Sequence, residues 1–407
     1  LIRFSHFFRI GLLFLLAGYG SSGLAQKWEN SIVRIFASKK QINESSPWQY
    51  EEIRQQTFHA VVVEGNVVLT TAFALQNAVQ LELLRFGESR KFPLTVKFVD
   101  YESNLALLSA DDPAGTSGLI PLKFTDEVGL NSSVTILRAR DNNQLVSIAA
   151  TLQEVGIHSS VTSEYSFATY LLKTQQSALG WSEPIIRGGQ VVAIGSGQDN
   201  QFFHAIPGSI INHFLEDNRR GDYRGFPAVG IQLDRLNSPE MRKMIGADAV
   251  KHGIRIAKIE PGSEFSKLLL KDDVLLAVDG IRISENGFYQ HPLWGSVHLK
   301  HLITKKFAGD KVKLNILRQS KDLVVEGKLV KFNSNAYRLA SYRMKNEEPH
   351  LIFGGFVLRE LTVPFLKQWG SDWRKTAPQH MLYEYNFRND FVEEPGRNRI
   401  IIISRVL

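Results

Sequence analysis

Between residues 31 and 214 the apolar residues come in short runs, at 31–36, 60–63, 67–69, 79–84, 94–99, 105–108, 134–137, 170–172 and 191–194. Turn-forming residues punctuate them, as in Glu64-Gly65-Asn66, Asp141-Asn142-Asn143 and Gly188-Gly189. Many short strands at such spacing predict a sandwich or a barrel. A double barrel of two Greek-key halves, with a site between them, suits both the length of this region and its number of runs. The chain has 407 residues, 43% of them hydrophobic, enough for two or three domains with real cores. No apolar run reaches 18 residues, so a membrane-spanning helix is not expected.

The first 25 residues have another character. Arg3 and Arg9 flank the start of the run Ile10-Gly11-Leu12-Leu13-Phe14-Leu15-Leu16-Ala17, and Gly23-Leu24-Ala25 supplies small residues for cleavage. This pattern predicts a signal peptide over 1–25, a mature chain from Gln26, and export to the periplasm or beyond. The sequence holds no Cys, so neither disulfides nor a cysteine-linked lipid anchor is available to it. The formal charge is +7, and the leader's two arginines account for two of it, leaving +5. Basic residues are dispersed among acids, which argues against a nucleic-acid surface.

The stretch Gln176 to Gly195 reads QSALGWSEPIIRGGQVVAIG. A turn cluster precedes Pro184-Ile185-Ile186, then a Gly188-Gly189 turn and the strand-like Val191-Val192-Ala193-Ile194. The layout resembles the nucleophile segment of trypsin-like proteases of the HtrA/Deg family, where a GNSGGP loop leads into a hairpin. The resemblance implies a histidine base in an LTNAH segment; here Leu69-Thr70-Thr71-Ala72-Phe73 puts Phe73 at that place. It implies an orienting aspartate in DLALL; here Asn104-Leu105-Ala106-Leu107-Leu108 has an amide. Aligned on Pro184 without a gap, Trp181 stands at the nucleophile, whereas a one-residue deletion places Ser182 there instead. The family's GSGF turn is Thr57-Phe58-His59-Ala60, and Ser182 and Glu183 replace the loop glycines. Phe203-His204-Ala205-Ile206-Pro207 and the residues 210–215 resemble its closing strand and exit helix.

A serine hydroxyl needs a base within hydrogen-bond reach to attack. Loss of the orienting carboxylate alone costs about 10⁴ in rate, and loss of the whole triad on the order of 10⁶. The expectation is a catalytically inactive protease homologue, with Phe73, Asn104 and Trp181 at the degenerate triad positions. The other reading is an active serine endopeptidase that uses Ser182 with an unusual base. His59 is one candidate for that base, and Asp100 is a candidate replacement for the acid. His298 and His301 are three apart, a spacing compatible with metal ligation, but no third ligand stands nearby, so neither a metal nor a cofactor is expected.

After the charged linker 216–222, a second unit resembles a PDZ domain over 225–332. Phe226-Pro227-Ala228-Val229-Gly230-Ile231 matches the carboxylate-binding loop and first strand. Gly253-Ile254-Arg255-Ile256-Ala257-Lys258-Ile259-Glu260-Pro261-Gly262 and Leu270-Lys271-Asp272-Asp273-Val274-Leu275-Leu276-Ala277-Val278-Asp279-Gly280 match two further PDZ stretches. A helix over 296–305 and a strand over 312–318 complete it. The resemblance implies β-augmentation, in which a peptide adds a strand beside Ile231 and its carboxylate meets backbone N–H groups near Ala228, Val229 and Gly230. His298 and Leu302 are expected to face the peptide. The last segment, 349–407, resembles a partial second PDZ-like domain of the plant-type Deg branch and its bacterial relatives. The fold class is thus mainly β: a trypsin-like double barrel over 26–218, a PDZ domain, and part of another. The implied partners are peptides or C-termini of unfolded or envelope proteins, with self-association or pairing with active relatives as further expectations.

Overall fold

A computed structural model describes residues 28–125, 128–140, 142–176, 180–260, 263–332, 338–342, 348–388 and 399–407. The leader-like stretch 1–25 and Gln26 lie outside the described residues. Strands β1 (Ile32–Lys39), β2 (Arg54–Val63), β3 (Val67–Thr70), β4 (Ala78–Leu84), β5 (Lys91–Asp100) and β6 (Leu105–Ala110) close into one barrel in the order β1-β2-β3-β6-β5-β4. A second barrel follows from β7 (Ser133–Ala139), β8 (Leu145–Ser159), β9 (Ser166–Lys173), β10 (Pro184–Arg187), β11 (Gln190–Gln198) and β12 (Phe203–Pro207), in the order β10-β11-β12-β9-β8-β7.

The two-residue period of a strand builds two cores at once. On β2, Ala60 and Val62 join Val33, Ile35 and Phe58 inside the first barrel. Val61 and Val63 point the other way, into a cluster with Leu69, Leu105, Ile194, Ile206 and Phe214 that both barrels share. The short helix α1 (Ala72–Leu75) follows β3, and α2 (Gly208–Arg219) leaves the second barrel. Helix α2 buries Ile210, Ile211, His213, Phe214 and Asp217 at helical spacing. The linker beyond it is tied down: Asp217 Oδ2 accepts the Gly225 N–H at 2.7 Å, and the Tyr223 hydroxyl donates to Asp100 Oδ2.

The middle unit begins with β13 (Pro227–Ala228), β14 (Ile231–Asp234), helix α3 (Pro239–Met244), β15 (Ile254–Ile259), β16 (Val274–Val278) and β17 (Ile281–Arg282). The hairpin β18 (Phe288–His291) and β19 (Gly295–His298) precedes helix α4 (Lys300–Thr304), then β20 (Lys311–Arg318), β21 (Lys321–Lys328) and β22 (Val330–Lys331). Its sheet runs β14-β15-β16-β20-β21, so that among the described residues β14 has one strand neighbour and one open edge. Trp294, in the β18–β19 turn, donates its indole N–H to the Val128 carbonyl at 2.7 Å and meets Tyr170 of the second barrel edge-on. The cores of that barrel and of the middle unit are consequently continuous.

In the last unit β23 (His350–Phe353), β24 (Phe356–Glu360) and β25 (Ile401–Val406) form a three-stranded sheet, and short helices α5 (Val363–Leu366), α6 (Trp373–Thr376) and α7 (Gln379–Tyr383) pack near it. Arg359, buried on β24, bonds to Glu44 and Glu348 at 2.8 Å each and so ties this unit to the loop after β1. The architecture is the mainly β one expected, with two closed six-stranded barrels followed by two smaller units.

Candidate functional site

The cleft lies where the two barrels meet, and Phe73, Asn104 and Trp181 come together there. Phe73, on α1, stacks on Trp181 with ring centroids 4.1 Å apart and planes 26° from parallel. Asn104 sits in the left-handed region at φ +58, a conformation asparagine tolerates well. Its Oδ1 accepts the Phe73 N–H at 2.8 Å, and its carbonyl accepts the Ala72 N–H at 3.0 Å. Asn104 thus holds the backbone of α1 rather than a ring. Below the stack, the Lys39 ammonium lies 4.7 Å from the Phe58 ring centroid and 4.8 Å from that of Phe73, and donates to the Phe73 carbonyl at 2.9 Å. Burial pulls its pKa down to about 8, so at neutral pH it is a cation against two ring faces. On the other side the Trp181 indole covers Gly197, where a Cβ would come within 3.0 Å of Cη2. Lys39, Phe73, Trp181 and Gly197 form one continuous column through the cleft.

Ser182 is buried and held in place. Its Oγ meets Thr70 Oγ1 at 3.1 Å, the Thr71 N–H at 3.0 Å and Thr71 Oγ1 at 2.9 Å. Thr71 stands at the N-cap of α1 without capping it, because its hydroxyl is engaged with Ser182. The Ser182 backbone has φ +67, a conformation that glycine adopts freely and serine rarely. The loop therefore keeps a glycine-like bend although its sequence has no glycine there. Its N–H donates to the Gly195 carbonyl at 2.9 Å, and the Gly180 N–H donates to Glu183 Oε1 at 2.5 Å. Glu183 is fully buried, and desolvation pushes its carboxyl up to about 7 against the pull of nearby N–H groups and Arg138.

The two auxiliary candidates have other partners. His59 Nε2 accepts the Ala139 N–H at 2.8 Å, and burial pulls the ring down to about 4, the Trp181 carbonyl opposing and Arg138 and Arg34 adding. Asp100 accepts the Glu102 N–H at 2.8 Å and the Tyr223 hydroxyl, which makes it a turn and linker anchor. Sequence reading missed the second chemistry-bearing group of the cleft. His204 Nε2 lies 2.7 Å from Asp199 Oδ2, and His158 meets His204 edge-on at 5.4 Å, beside a cavity of about 350 Å³ that also touches Trp181 and Gly197. The pairing of β9 with both β8 and β12 brings these histidines together, and no local motif announces it. No cluster of three metal-ligating side chains is found among the described residues.

The middle unit carries the other site. A cavity of about 440 Å³ runs between the open edge of β14 and helix α4. Ala228, Val229, Gly230, Ile231 and His298 line it. Gly230 is at φ +73, and a Cβ there would meet Glu260 and Ser263 at 3.0 Å. The expected helix over 296–305 is shorter: Gly295–His298 is strand, and the helix is Lys300–Thr304. Leu299, Lys300, Ile303 and Thr304 therefore share the groove face at helical spacing. Leu302, expected to face the peptide, is not among the groove-lining residues and packs half-buried against the core cluster of the middle unit.

The arrangement defines a class first: a double β-barrel of the trypsin type, with a cleft at the barrel junction and a PDZ domain at the C-terminal end. A PDZ-domain family model matches residues 341–407. The chain is 26% identical over 392 residues to Protease Do-like 2, chloroplastic, of Arabidopsis thaliana, covering 93% of this chain and 62% of that protein. It is 26% identical over 351 residues to Putative protease Do-like 3, mitochondrial, of the same plant, covering 83% and 61%. The chain thus spans about three fifths of the length of these relatives. Among solved structures, the HtrA-type protease AlgW with decapeptide superposes with a TM-score of 0.56 at 13% identity, covering 76% of this chain and 98% of that one. At that identity the likeness is one of fold. The resemblance to trypsin-like HtrA/Deg proteins, and among them to the plant Do-like proteins, is shown by these comparisons.

Proposed function

We propose that this chain is a catalytically inactive HtrA/Deg-type protein that acts by holding peptides, above all the C-termini of unfolded or envelope proteins, in its middle PDZ groove. One observation supports the inactive half of the reading: Phe73 and Trp181, which the resemblance puts at the base and nucleophile positions, stack on each other over Gly197. A phenyl ring accepts no proton, and an indole does not attack a carbonyl. The stack also covers Gly197, on the β11 segment beside the cleft.

The competing endopeptidase reading makes Ser182 the nucleophile. Its partners are two threonines, neither of which is a base at neutral pH. An oxyanion hole of the trypsin kind uses the nucleophile's own N–H and that of the residue two before it. Those would be Ser182 and Gly180, and both N–H groups are spent, on the Gly195 carbonyl and on Glu183. The groove reading is supported by the open edge of β14, by the Ala228-Val229-Gly230 loop at its end, and by the AlgW structure being one with a decapeptide. The leader-like stretch 1–25 supports an exported protein. Purified protein should leave unfolded casein intact while binding a peptide with a free apolar C-terminus by fluorescence polarisation. Cleavage that disappears in Ser182→Ala would overturn the inactive assignment, and equal affinity for free-acid and amidated peptides would overturn the C-terminal one.

A further inference from the structure

We propose that Tyr165, a residue of the second barrel, is the positioning residue of the groove's carboxylate-binding loop, so that peptide recognition belongs to barrel and middle unit jointly; this rests on the groove reading above. Glu164, Tyr165 and Ser166 line the groove cavity although they lie in the turn that leads into β9 and at its first residue, far from the middle unit in sequence. The Tyr165 hydroxyl donates to the Pro227 carbonyl at 3.0 Å, within a buried setting. Pro227 is the residue before Ala228, where the loop begins. The tyrosine ring also packs on Phe226 and Phe332, with centroids 5.5 and 5.0 Å away, and the Phe332 N–H closes the same corner on the Phe226 carbonyl at 2.8 Å. Both chain ends of the middle unit are thereby gripped by one barrel side chain.

The grip has a fixed base. Tyr165 accepts the Ser160 N–H at its carbonyl at 3.0 Å and donates its own N–H to Ser163 Oγ at 3.1 Å, so its turn is internally locked. Ser160 and Thr162 donate their hydroxyls to the Tyr101 carbonyl of the first barrel at 3.2 and 2.6 Å. Burial first, and the carboxylates of Asp100 and Glu102 after it, keep the phenol protonated well beyond physiological pH, so it remains a donor. A loop whose amides must converge on a carboxylate gains affinity from being fixed before the ligand arrives. Pro227 has no N–H to give, and its carbonyl is the handle the barrel uses.

Tyr165→Phe removes the hydroxyl and keeps the ring between Phe226 and Phe332. In the full chain, affinity for a free-acid peptide should fall roughly three- to tenfold, the range one neutral hydrogen bond supports, while the thermal midpoint stays within a degree or two. Because the loop serves the carboxylate, the ratio of free-acid to amide affinity should shrink as well, which a general loosening of the fold does not produce. Amide hydrogen exchange at Val229 and Gly230 should quicken in the unliganded variant. Unchanged affinity, ratio and exchange in Tyr165→Phe, with the parent protein still binding, would overturn this inference alone. A parent protein that binds no peptide, when tested beside it, would overturn the groove reading and this inference with it.

Discussion

The barrel cleft and the middle-unit groove are both concave sites, but they treat their backbone amides in opposite ways. In the cleft, the N–H groups of Gly180 and Ser182 are consumed by Glu183 and Gly195, and the space is filled by Phe73 and Trp181. In the groove, β14 keeps an edge without a strand partner and the adjoining loop bends at a glycine. A site filled by its own side chains gains packing energy and gives up ligand affinity; an open site does the reverse. The difference teaches that the junction of the barrels is packed by its own aromatic side chains around Phe73 and Trp181, whereas the groove is left open to a ligand.

The largest test of that contrast is a pH titration of stability. Unfolded, the Glu183 carboxyl ionises near its ordinary pH 4.5; folded, it keeps its proton to about 7 because it is buried. Between those values the folded state binds the extra proton, so stability must fall as pH rises, by on the order of 3 kcal/mol across the window. Buried histidines such as His59, whose pKa is pulled down to about 4, contribute the opposite slope. The Glu183 contribution is therefore read as the difference between parent and Glu183→Gln: in urea denaturation from pH 4.5 to 7.5 the parent's advantage over Glu183→Gln should shrink as pH rises. A parent slope of the opposite sign from this residue would mean that the acid is ionised in the fold and paired.

Trp181→Ala follows in size. Removing one ring of a half-buried stack should cost about 2 kcal/mol in urea denaturation, below the 3–5 of a fully buried aromatic. No loss would show that the column is not packed as a unit. Gly230→Val should then weaken binding of a free-acid peptide about tenfold, with no matching loss of fold stability in the barrels, since the site's φ of +73 and its 3.0 Å neighbours leave no room. Unaltered binding would move the peptide site away from the loop. Smallest is Lys39→Met, at about 1 kcal/mol, the worth of a sheltered cation over aromatic faces.

Much of this was legible in the sequence. The short runs between turn residues located most of the barrel strands, and the resemblance marked out Phe73, Asn104 and Trp181, which the fold brings together at the cleft. Strand β8 was not seen although it is the longest, at 15 residues. A bulge between Leu152 and Glu154 shifts its alternation midway, and it pairs β7 with one half and β9 with the other, so no single period holds along it. The glycine-like bend at Ser182 was illegible for another reason: residue type predicts conformation only until tertiary bonds override it. Here the bonds to Thr70, Thr71 and Gly195 hold a serine where a glycine is at ease. The misplacement of Leu302 came from reading one continuous helix across residues that are half strand. Tyr165 and Pro227 are 62 positions apart, and only the packing of barrel on middle unit joins them.

The central claim is that the cleft has no working nucleophile, and covalent labelling measures that most directly. Intact protein incubated with a fluorophosphonate at neutral pH should show no mass increase, under conditions where an active trypsin-like protease is fully modified. A stoichiometric adduct that maps to Ser182 by peptide mass spectrometry, and vanishes in Ser182→Ala, would contradict the account.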